Sequence, residues 1–152
     1  MADQQVAIIN KKARFNYEVI DTIEAGIVLE GSEVKSVRAR KVNFQDAYCY
    51  FKKGELFCKG VHIAEYAAGG HWNHDPARER KLLLKKKELR RLRERVQEKG
   101  ITLVPLKVYI NRRGWVKVLV GLVRGKKKYD KRETIKRREQ ERESRRALKD
   151  WR

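Results

Sequence analysis

The residues best suited to metal chemistry are His71, His74 and Asp75, because imidazole and carboxylate groups are common zinc ligands. A structural zinc site uses four ligands in paired spacing, and no cysteine lies near this cluster. The alternative is a polar loop in which Asp75 caps the helix that follows. The residue types favour the capped loop, and we predict neither a metal nor another cofactor.

Motifs for covalent or phosphoryl-transfer catalysis are absent from the sequence. It contains no P-loop, no GxGxxG and no Ser or Cys in a nucleophile motif. His62 stands alone in an apolar stretch, where a structural role is more common than a catalytic one. We therefore predict a protein that is not an enzyme.

Cys49 and Cys58 are the only cysteines. They flank Lys53-Gly54, a pair typical of a two-residue hairpin turn, and in that register Cys49 faces Cys58. The register would permit a disulfide. The alternative is two reduced thiols, which a reducing cytosol favours.

Glu24 is an acidic residue in a strongly basic chain, and it precedes the small pair Ala25-Gly26. Small residues in a strand permit close approach of a ligand or of another backbone. A carboxylate on a surface that binds a polyanion needs hydrogen-bond donors, which base amino groups or ribose hydroxyls supply. The competing interpretation is a salt bridge to a nearby lysine.

The net charge indicates the class of partner. The chain has 152 residues and a formal net charge of +19, which would attract nucleic acid, anionic membranes or acidic proteins. The sequence has neither a long apolar run nor a signal-peptide pattern, so we predict a cytoplasmic protein that does not contact membranes. Because the basic residues are spread along the whole chain, nucleic acid is the favoured partner.

The apolar pattern predicts mostly strands, at 17–29, 46–51, 56–63, 103–110 and 115–123. A short helix is predicted over 33–40. Ser32 would cap this helix, Glu33 would lie in its first turn, and Val34 and Val37 would face inward.

A long helix is predicted over 76–99, with Asp75-Pro76 at its start and Gly100 as its stop. Its core face would contain Leu82, Leu89, Leu92 and Val96. Leu83 and Leu84 fall outside that face, among lysines. Either a loop covers these two leucines, or at least one of them contacts a partner, and the face of an unstacked base would suit such a contact.

The strongest hairpin signal joins 103–110 to 115–123 through Arg112-Arg113-Gly114. The register would bury a wholly aliphatic face by pairing Ile110 with Val116, Val108 with Val118, and Leu106 with Val120. The opposite face interleaves lysine with aromatic and aliphatic residues, namely Lys107, Tyr109, Trp115, Lys117 and Leu119. Such a face suits either RNA contact or a solvated sheet edge.

Residues 125–152 contain thirteen Lys or Arg, six Asp or Glu and few apolar side chains. A segment of this composition cannot bury enough apolar surface to fold alone. We predict a tail that is disordered in the free protein and helical when bound to a partner.

Several stretches together resemble the SsrA-binding protein family, also called small protein B, the bacterial partner of transfer-messenger RNA. The matching stretches are NKKAR at 10–14, EAGIVLEGSEVKSVRARKVNFQDAY at 24–48, DPARERKLLLKKKELRRL at 75–92, VPLKVYINRRGWVKVLVG at 104–121 and RGKKKYDKR at 124–132. They cover almost the whole chain in order.

The resemblance implies a mainly β fold with flanking helices. The expected architecture is a closed antiparallel β-barrel of oligonucleotide-binding (OB) type over residues 1–124, with about six strands and about three helices, followed by the basic tail at 125–152. The resemblance also implies an adaptor of trans-translation that binds the transfer-RNA-like domain of transfer-messenger RNA. Elongation factor Tu would deliver the complex to the A site of a stalled ribosome, and we expect the protein to be a monomer.

The functional residues follow from the resemblance and from charge. The resemblance implies RNA contacts at Asn10, Glu24 and Leu83, and charge and placement add Lys35, Arg38, Arg78 and Lys81. In the tail, it implies contacts with the 16S rRNA decoding centre and the empty mRNA channel by Gly125, Lys126, Lys127, Tyr129, Asp130, Lys131, Arg132 and Ile135. Tyr129 stands where many members have His, and Phe15 also replaces a common His. The alternative is a general basic OB-fold protein that associates with the ribosome or acts in initiation.

Overall fold

The computed structural model describes residues 6–66 and 73–126. Within these ranges it contains seven strands and three helices. In chain order they are β1 (Val6–Ile9), α1 (Lys11–Asn16), β2 (Tyr17–Ile27), α2 (Gly31–Arg38), β3 (Val42–Lys52), β4 (Glu55–Ile63), β5 (Arg80–Leu83), α3 (Lys86–Arg95), β6 (Ile101–Ile110) and β7 (Val116–Gly125). The predicted mainly β fold with three helices is confirmed.

Six of these strands close into an antiparallel barrel in the order β6-β3-β4-β5-β2-β7, with β7 pairing back to β6. β1 lies outside this ring and pairs with the second half of β6, where Ile8 faces Val108. β3 meets the first half of β6, where Cys49 faces Leu103. The predicted closed barrel is therefore confirmed.

The β3–β4 hairpin has the predicted register. Lys53 and Gly54 have φ angles of 53° and 77°, as a two-residue type I′ turn requires. Cys49 pairs with Cys58, and both are free and buried. The hydrogen bond with Cys58, together with burial, raises the pKa of the Cys49 thiol well above its usual value, so this thiol stays protonated at neutral pH and is a poor nucleophile.

The β6–β7 hairpin follows the predicted register only near its turn. Ile110 faces Val116 as predicted, but Pro105, and not Leu106, faces Val120. A bulge between Pro105 and Lys107 causes this one-residue shift. Proline has no backbone N–H to donate to the ladder, so it is tolerated at such an irregularity.

The bulge turns Leu106 to the outside of the barrel, where it joins a second small core. Leu106 packs there with Ala13 of α1, Val104 and Val123. Gly121 leaves room for this packing, since a Cβ on it would lie 2.5 Å from Leu106 Cδ1. The second core therefore attaches α1 to the barrel wall.

The predicted helix over 76–99 is wrong in its first half, which contains β5. β5 fills the place between β4 and β2, where Leu82 faces both Leu56 and Ile27. Arg80 and Leu82 point inward, while Lys81 and Leu83 point outward. This alternation is hard to recognise in the sequence because one of its inward residues is an arginine.

The second half of that prediction corresponds to α3. Leu92 is buried, and Leu89 and Val96 pack against the core, as the predicted helical face requires. Asp75 does not begin a helix. Its carboxylate accepts a hydrogen bond from the Ala77 backbone in a turn.

α2 starts two residues earlier than predicted, at Gly31. Ser32 does not cap it, because Ser32 lies inside the helix and Glu30 is at the N-cap position. The Ser32 hydroxyl is hydrogen-bonded to His74 Nδ1 at 2.8 Å. Instead, the Glu33 carboxylate accepts a hydrogen bond from the Glu30 backbone N–H at 2.9 Å. Val37 faces the core as predicted.

Glu33 is fully buried and pairs with two arginines. Its Oε2 lies 2.5 Å from Arg80 Nε, and its Oε1 lies 2.5 Å from Arg78 Nη2. Arg80 also donates to the backbone carbonyl of Val61 at 2.6 Å. Burial alone would raise the pKa of Glu33, but the hydrogen bonds from Arg78, Glu30 and Arg80 outweigh it and hold the pKa below its usual value.

We predict that Arg80→Met lowers the free energy of unfolding by about 3–5 kcal/mol, because the buried Glu33 carboxylate loses its most buried partner. Replacing both residues, as Arg80→Met with Glu33→Met, should recover part of this loss because no charge then stays buried. Chemical denaturation measures both effects. Lys12→Ala is the control, since the side chains of its ion pair with Asp46 are 66% and 85% exposed, and it should change stability little. Equal stability of Arg80→Met and the wild type would contradict the prediction.

Candidate nucleic-acid interface

The strand registers bring predicted RNA contacts from separate parts of the chain onto one surface. Leu83 of β5 faces Gly26 of β2, which in turn faces Lys117 of β7. Two residues along, Glu24 faces Leu119. We call this surface the outer face and define it by the outward residues of β5, β2, β7 and β6, namely Lys81, Leu83, Glu24, Gly26, Lys117, Leu119, Lys107 and Tyr109.

Leu83 is the exposed apolar residue of the outer face, at 51% relative exposure. Gly26 permits the close approach of β5, because a Cβ on Gly26 would lie 3.2 Å from Leu83 Cβ. Leu84 instead packs against the core. Of the two leucines that the sequence left open, only Leu83 is therefore presented to a partner.

Glu24 is exposed, and its carboxylate is held in place by Tyr109. The Tyr109 hydroxyl donates a hydrogen bond to Glu24 Oε2, so the partner found here is a phenol in place of the lysine of the salt-bridge interpretation. Burial, reinforced by this hydrogen bond, raises the pKa of Tyr109. The phenol therefore stays protonated and remains a donor at neutral pH.

Two lysines give the Glu24 neighbourhood a positive field. Lys107 Nζ lies 4.8 Å from the centroid of the Tyr109 ring, and Lys117 faces Tyr109 across the β6–β7 pairing. A fixed carboxylate between cations can accept hydrogen bonds from a polyanionic ligand that the cations attract. Four residues of the predicted alternation are thus part of the outer face, namely Lys107, Tyr109, Lys117 and Leu119, while Trp115 precedes β7 and is not part of it.

Asn10 lies inside the protein, and its amide is engaged at both ends. Its Nδ2 donates to the Pro105 carbonyl at 2.9 Å, and its Oδ1 accepts from the Ala13 backbone at 3.1 Å. Asn10 thereby caps α1 and anchors it to the bulge of β6. Its predicted contact with RNA stays a prediction, and the geometry favours an indirect effect through α1.

The basic residues predicted from charge occupy different environments. Arg78 binds Glu33 and the Val28 carbonyl, so its guanidinium is partly used internally. Lys35 lies over the Tyr66 ring at 5.1 Å, and Arg38 is exposed at the end of α2. Lys81, on the outer face, is 3.7 Å from Glu55 Oε2.

α3 adds a strongly basic surface just beyond Leu83. Its exposed cations and those of the residue before it are Lys85, Lys86, Lys87, Arg90, Arg91 and Arg93. This surface can attract phosphates at long range but carries little information about sequence.

None of the helices in the described ranges is long and apolar enough to cross a membrane.

The histidine cluster is structural where it is described. His74 is buried, with one ring nitrogen bonded to the Ser32 hydroxyl and the other to the Ile63 carbonyl at 2.8 Å. His71 lies outside the described residues. Over 6–66 and 73–126, no three His, Cys, Asp or Glu side chains are grouped to hold a metal ion.

Two of the residues predicted for the tail lie in the described part of the chain. Gly125 is the last residue of β7 and faces Tyr17, and the Lys126 N–H donates to the Asn16 carbonyl at 3.0 Å. The other predicted tail residues, namely Lys127, Tyr129, Asp130, Lys131, Arg132 and Ile135, lie outside the described residues. Their roles stay predictions.

The known proteins that this chain is similar to belong to one family. A family model described as SmpB protein matches residues 7–150. The SsrA-binding protein of Ligilactobacillus salivarius is 56% identical over 142 residues, covering 93% of this chain and 91% of the relative. That of Limosilactobacillus fermentum is 54% identical over 149 residues, covering 98% of this chain and 94% of the relative.

A solved structure described as "tmRNA-SmpB: a journey to the center of the bacterial ribosome" is also similar. It is 51% identical in sequence and matches with a TM-score of 0.69. The match covers 85% of this chain and 94% of that chain. The similarity therefore extends to the fold.

We predict that Glu24→Gln lowers the pKa of Tyr109, because the variant removes the negative charge that opposes formation of the phenolate. Because the burial of Tyr109 is unchanged, its pKa in the variant should stay above the usual tyrosine pKa of about 10. NMR titration of ring-labelled tyrosine, with Tyr109→Phe for assignment, would show the Tyr109 signal shifting at lower pH in the variant. Tyr50, which is bonded to Glu79, is an internal control. Identical Tyr109 titrations in both proteins would contradict the hydrogen bond.

Proposed function

Since this chain belongs to the SmpB protein family, we propose that it is the RNA-binding adaptor of trans-translation in its cell. It binds the transfer-RNA-like domain of transfer-messenger RNA and accompanies that RNA to the A site of stalled ribosomes. The observation that carries the proposal is the outer face, which unites Glu24 and Leu83 on one surface. The similarity to SsrA-binding proteins over 93% and 98% of this chain supports it.

The composition of the outer face suits RNA recognition beyond phosphate attraction. Lys81, Lys107 and Lys117 provide cations for the RNA backbone. Glu24 accepts hydrogen bonds from base amino groups or ribose hydroxyls, and these groups distinguish one nucleotide from another. Leu83 offers an apolar contact to an unstacked base or a ribose. A purely electrostatic surface would need neither of the last two side chains.

The remaining predicted contacts are residues outside the outer face. Asn10 acts by fixing α1 on the barrel, and Arg78 by fixing the segment that leads into β5. Lys35 and Arg38 extend the positive field along α2 and contact phosphates.

The tail provides a second contact, with the ribosome. Residues from Lys127 onward enter the decoding centre and the empty mRNA channel, where Tyr129 stacks on an rRNA base. Elongation factor Tu takes part through the aminoacylated RNA that it delivers. The protein itself catalyses no reaction in this role, because binding and placement are sufficient.

Glu24→Ala should weaken binding to the transfer-RNA-like domain by about 1–3 kcal/mol, even though it makes the protein more positive, because donors on the RNA lose their acceptor. Glu18→Ala is the matched control. It removes the same charge from an exposed position of β2 outside the outer face, and it should leave affinity unchanged or slightly raise it. Titration of labelled RNA at fixed salt measures both variants. Equal or tighter binding by Glu24→Ala relative to Glu18→Ala would refute this role.

A chain ending at Lys126 should retain affinity for the transfer-RNA-like domain and lose tagging, which is the addition of a degradation tag to the polypeptide of a stalled ribosome by trans-translation. The cut is placed there because β7 extends through Gly125 and Lys126 is bonded to Asn16. RNA titration and a reconstituted tagging assay measure the two activities. Loss of RNA binding together with tagging would show that the two contacts are not separate.

A further inference from the structure

The outward surface of the β3–β4 hairpin carries three aromatic rings in a row, which we call the aromatic ladder: Tyr48, Tyr50 and Phe57. The centroids of Tyr48 and Tyr50 lie 5.6 Å apart, and those of Tyr50 and Phe57 lie 6.3 Å apart. Tyr48 is 45% exposed. The barrel interior is filled from the other side of the hairpin, by residues such as Leu56 and Cys58, so core packing does not account for the ladder.

Lysines alternate with these rings. Lys52 Nζ lies 5.1 Å from the centroid of the Phe57 ring. Lys59 faces Tyr48 across the hairpin, and Lys81 faces Phe57 from β5. Aromatic planes interleaved with cations are characteristic of surfaces that bind single-stranded nucleic acid, since bases stack on the rings while lysines neutralise phosphates.

The central ring of the ladder is held in a fixed orientation. The Tyr50 hydroxyl donates a hydrogen bond to Glu79, which also accepts from Lys52 at 3.2 Å. The hydrogen bond to Glu79 is the main reason why the pKa of Tyr50 is raised to about 12, so the phenol stays protonated and can donate at neutral pH. A ring that is already ordered loses less conformational freedom when a base stacks on it.

A cavity of about 350 Å³ opens beside Tyr48, a size typical of small-ligand sites. Tyr17, Phe44 and Tyr48 supply its aromatic lining, and Asn16 and Asp46 supply polar groups. Asp46 lies in the bulge of β3 with a φ of 49°. The ladder therefore ends at a recess that offers both stacking surfaces and hydrogen-bonding groups.

We propose that the aromatic ladder is a second RNA site, which stacks unpaired bases of the RNA bound by the outer face. The proposal rests on the proposed function. It names a further surface and the chemical class of its ligand, an unstacked single-stranded segment. Continuity supports it, because Lys81 and Leu83 of the outer face lie on β5, the strand next to β4.

The test compares variants that remove the aromatic plane with variants that keep it. Tyr48→Ala and Phe57→Leu remove a ring, whereas Tyr48→Phe keeps one. Ile20→Ala is the control, because it shortens an exposed apolar side chain that belongs to neither the ladder nor the outer face. The probes are a transcript of the transfer-RNA-like domain and an unstructured oligouridine, and thermal unfolding confirms that each variant is folded.

Loss of one stacked base corresponds to a loss of affinity of about 5- to 150-fold. We expect a loss in this range for Tyr48→Ala and Phe57→Leu with both probes, and near wild-type affinity for Tyr48→Phe and Ile20→Ala. The salt dependence of Tyr48→Ala should match that of the wild type, because no phosphate contact is lost. Lys59→Ala, in contrast, should reduce the salt dependence.

The outcomes separate the two proposals. If the wild type binds the transfer-RNA-like domain specifically and the ring-removing variants bind both probes equally well, the ladder proposal is overturned and the proposed function stands. If the wild type shows no specificity for that domain but oligouridine binding depends on Tyr48 and Phe57, the proposed function fails and the ladder stands as a site for single-stranded RNA.

Discussion

The buried pairing of Glu33 with Arg80 is the interaction on which the rest of the structure depends. It joins α2 to β5, and through the Arg80 contact with Val61 it also joins β4. β5 has only four residues, yet it fills the gap between β4 and β2 and so closes the barrel. Because side chains alternate along a strand, an inward Arg80 sets Lys81 and Leu83 outward. The buried charge pair therefore determines which residues of β5 reach a ligand.

A second constraint, the bulge of β6, organises the other end of the candidate interface. It turns Leu106 outward under α1 and presents the Pro105 carbonyl to Asn10. Beyond the bulge, Lys107 and Tyr109 continue on the outer face, where Tyr109 holds Glu24 on β2. Residues far apart in the chain thus form one surface because two irregular features, a buried charge and a bulge, set the register of the strands that carry them.

Short-range features of the fold could be predicted from the sequence. The Lys53-Gly54 turn and the first pairs of the β6–β7 hairpin were correct because turn chemistry fixes local register. The helix predicted over 76–99 was wrong at β5. Arg80 faces inward there, so the alternation of apolar and polar residues that identifies a strand is not visible in the sequence. The Leu106 pairing failed because the predicted register was continued through Pro105, although a proline inside a strand is itself a signal of a bulge. The Tyr109–Glu24 bond joins residues 85 positions apart, and the pairing of β2 with β7 that brings them together was not assigned from the sequence.

The high net charge explains attraction to RNA but not selection of one RNA. Selection requires groups that contact bases and riboses, and the outer face combines such groups with lysines on a closed barrel. NMR chemical-shift mapping of the labelled protein with the transfer-RNA-like domain tests this account most directly. We predict that the largest changes fall on the outer face, at Glu24, Leu83 and Lys117 and their neighbours. Changes concentrated on the cations of α3, with the outer face unaffected, would contradict it.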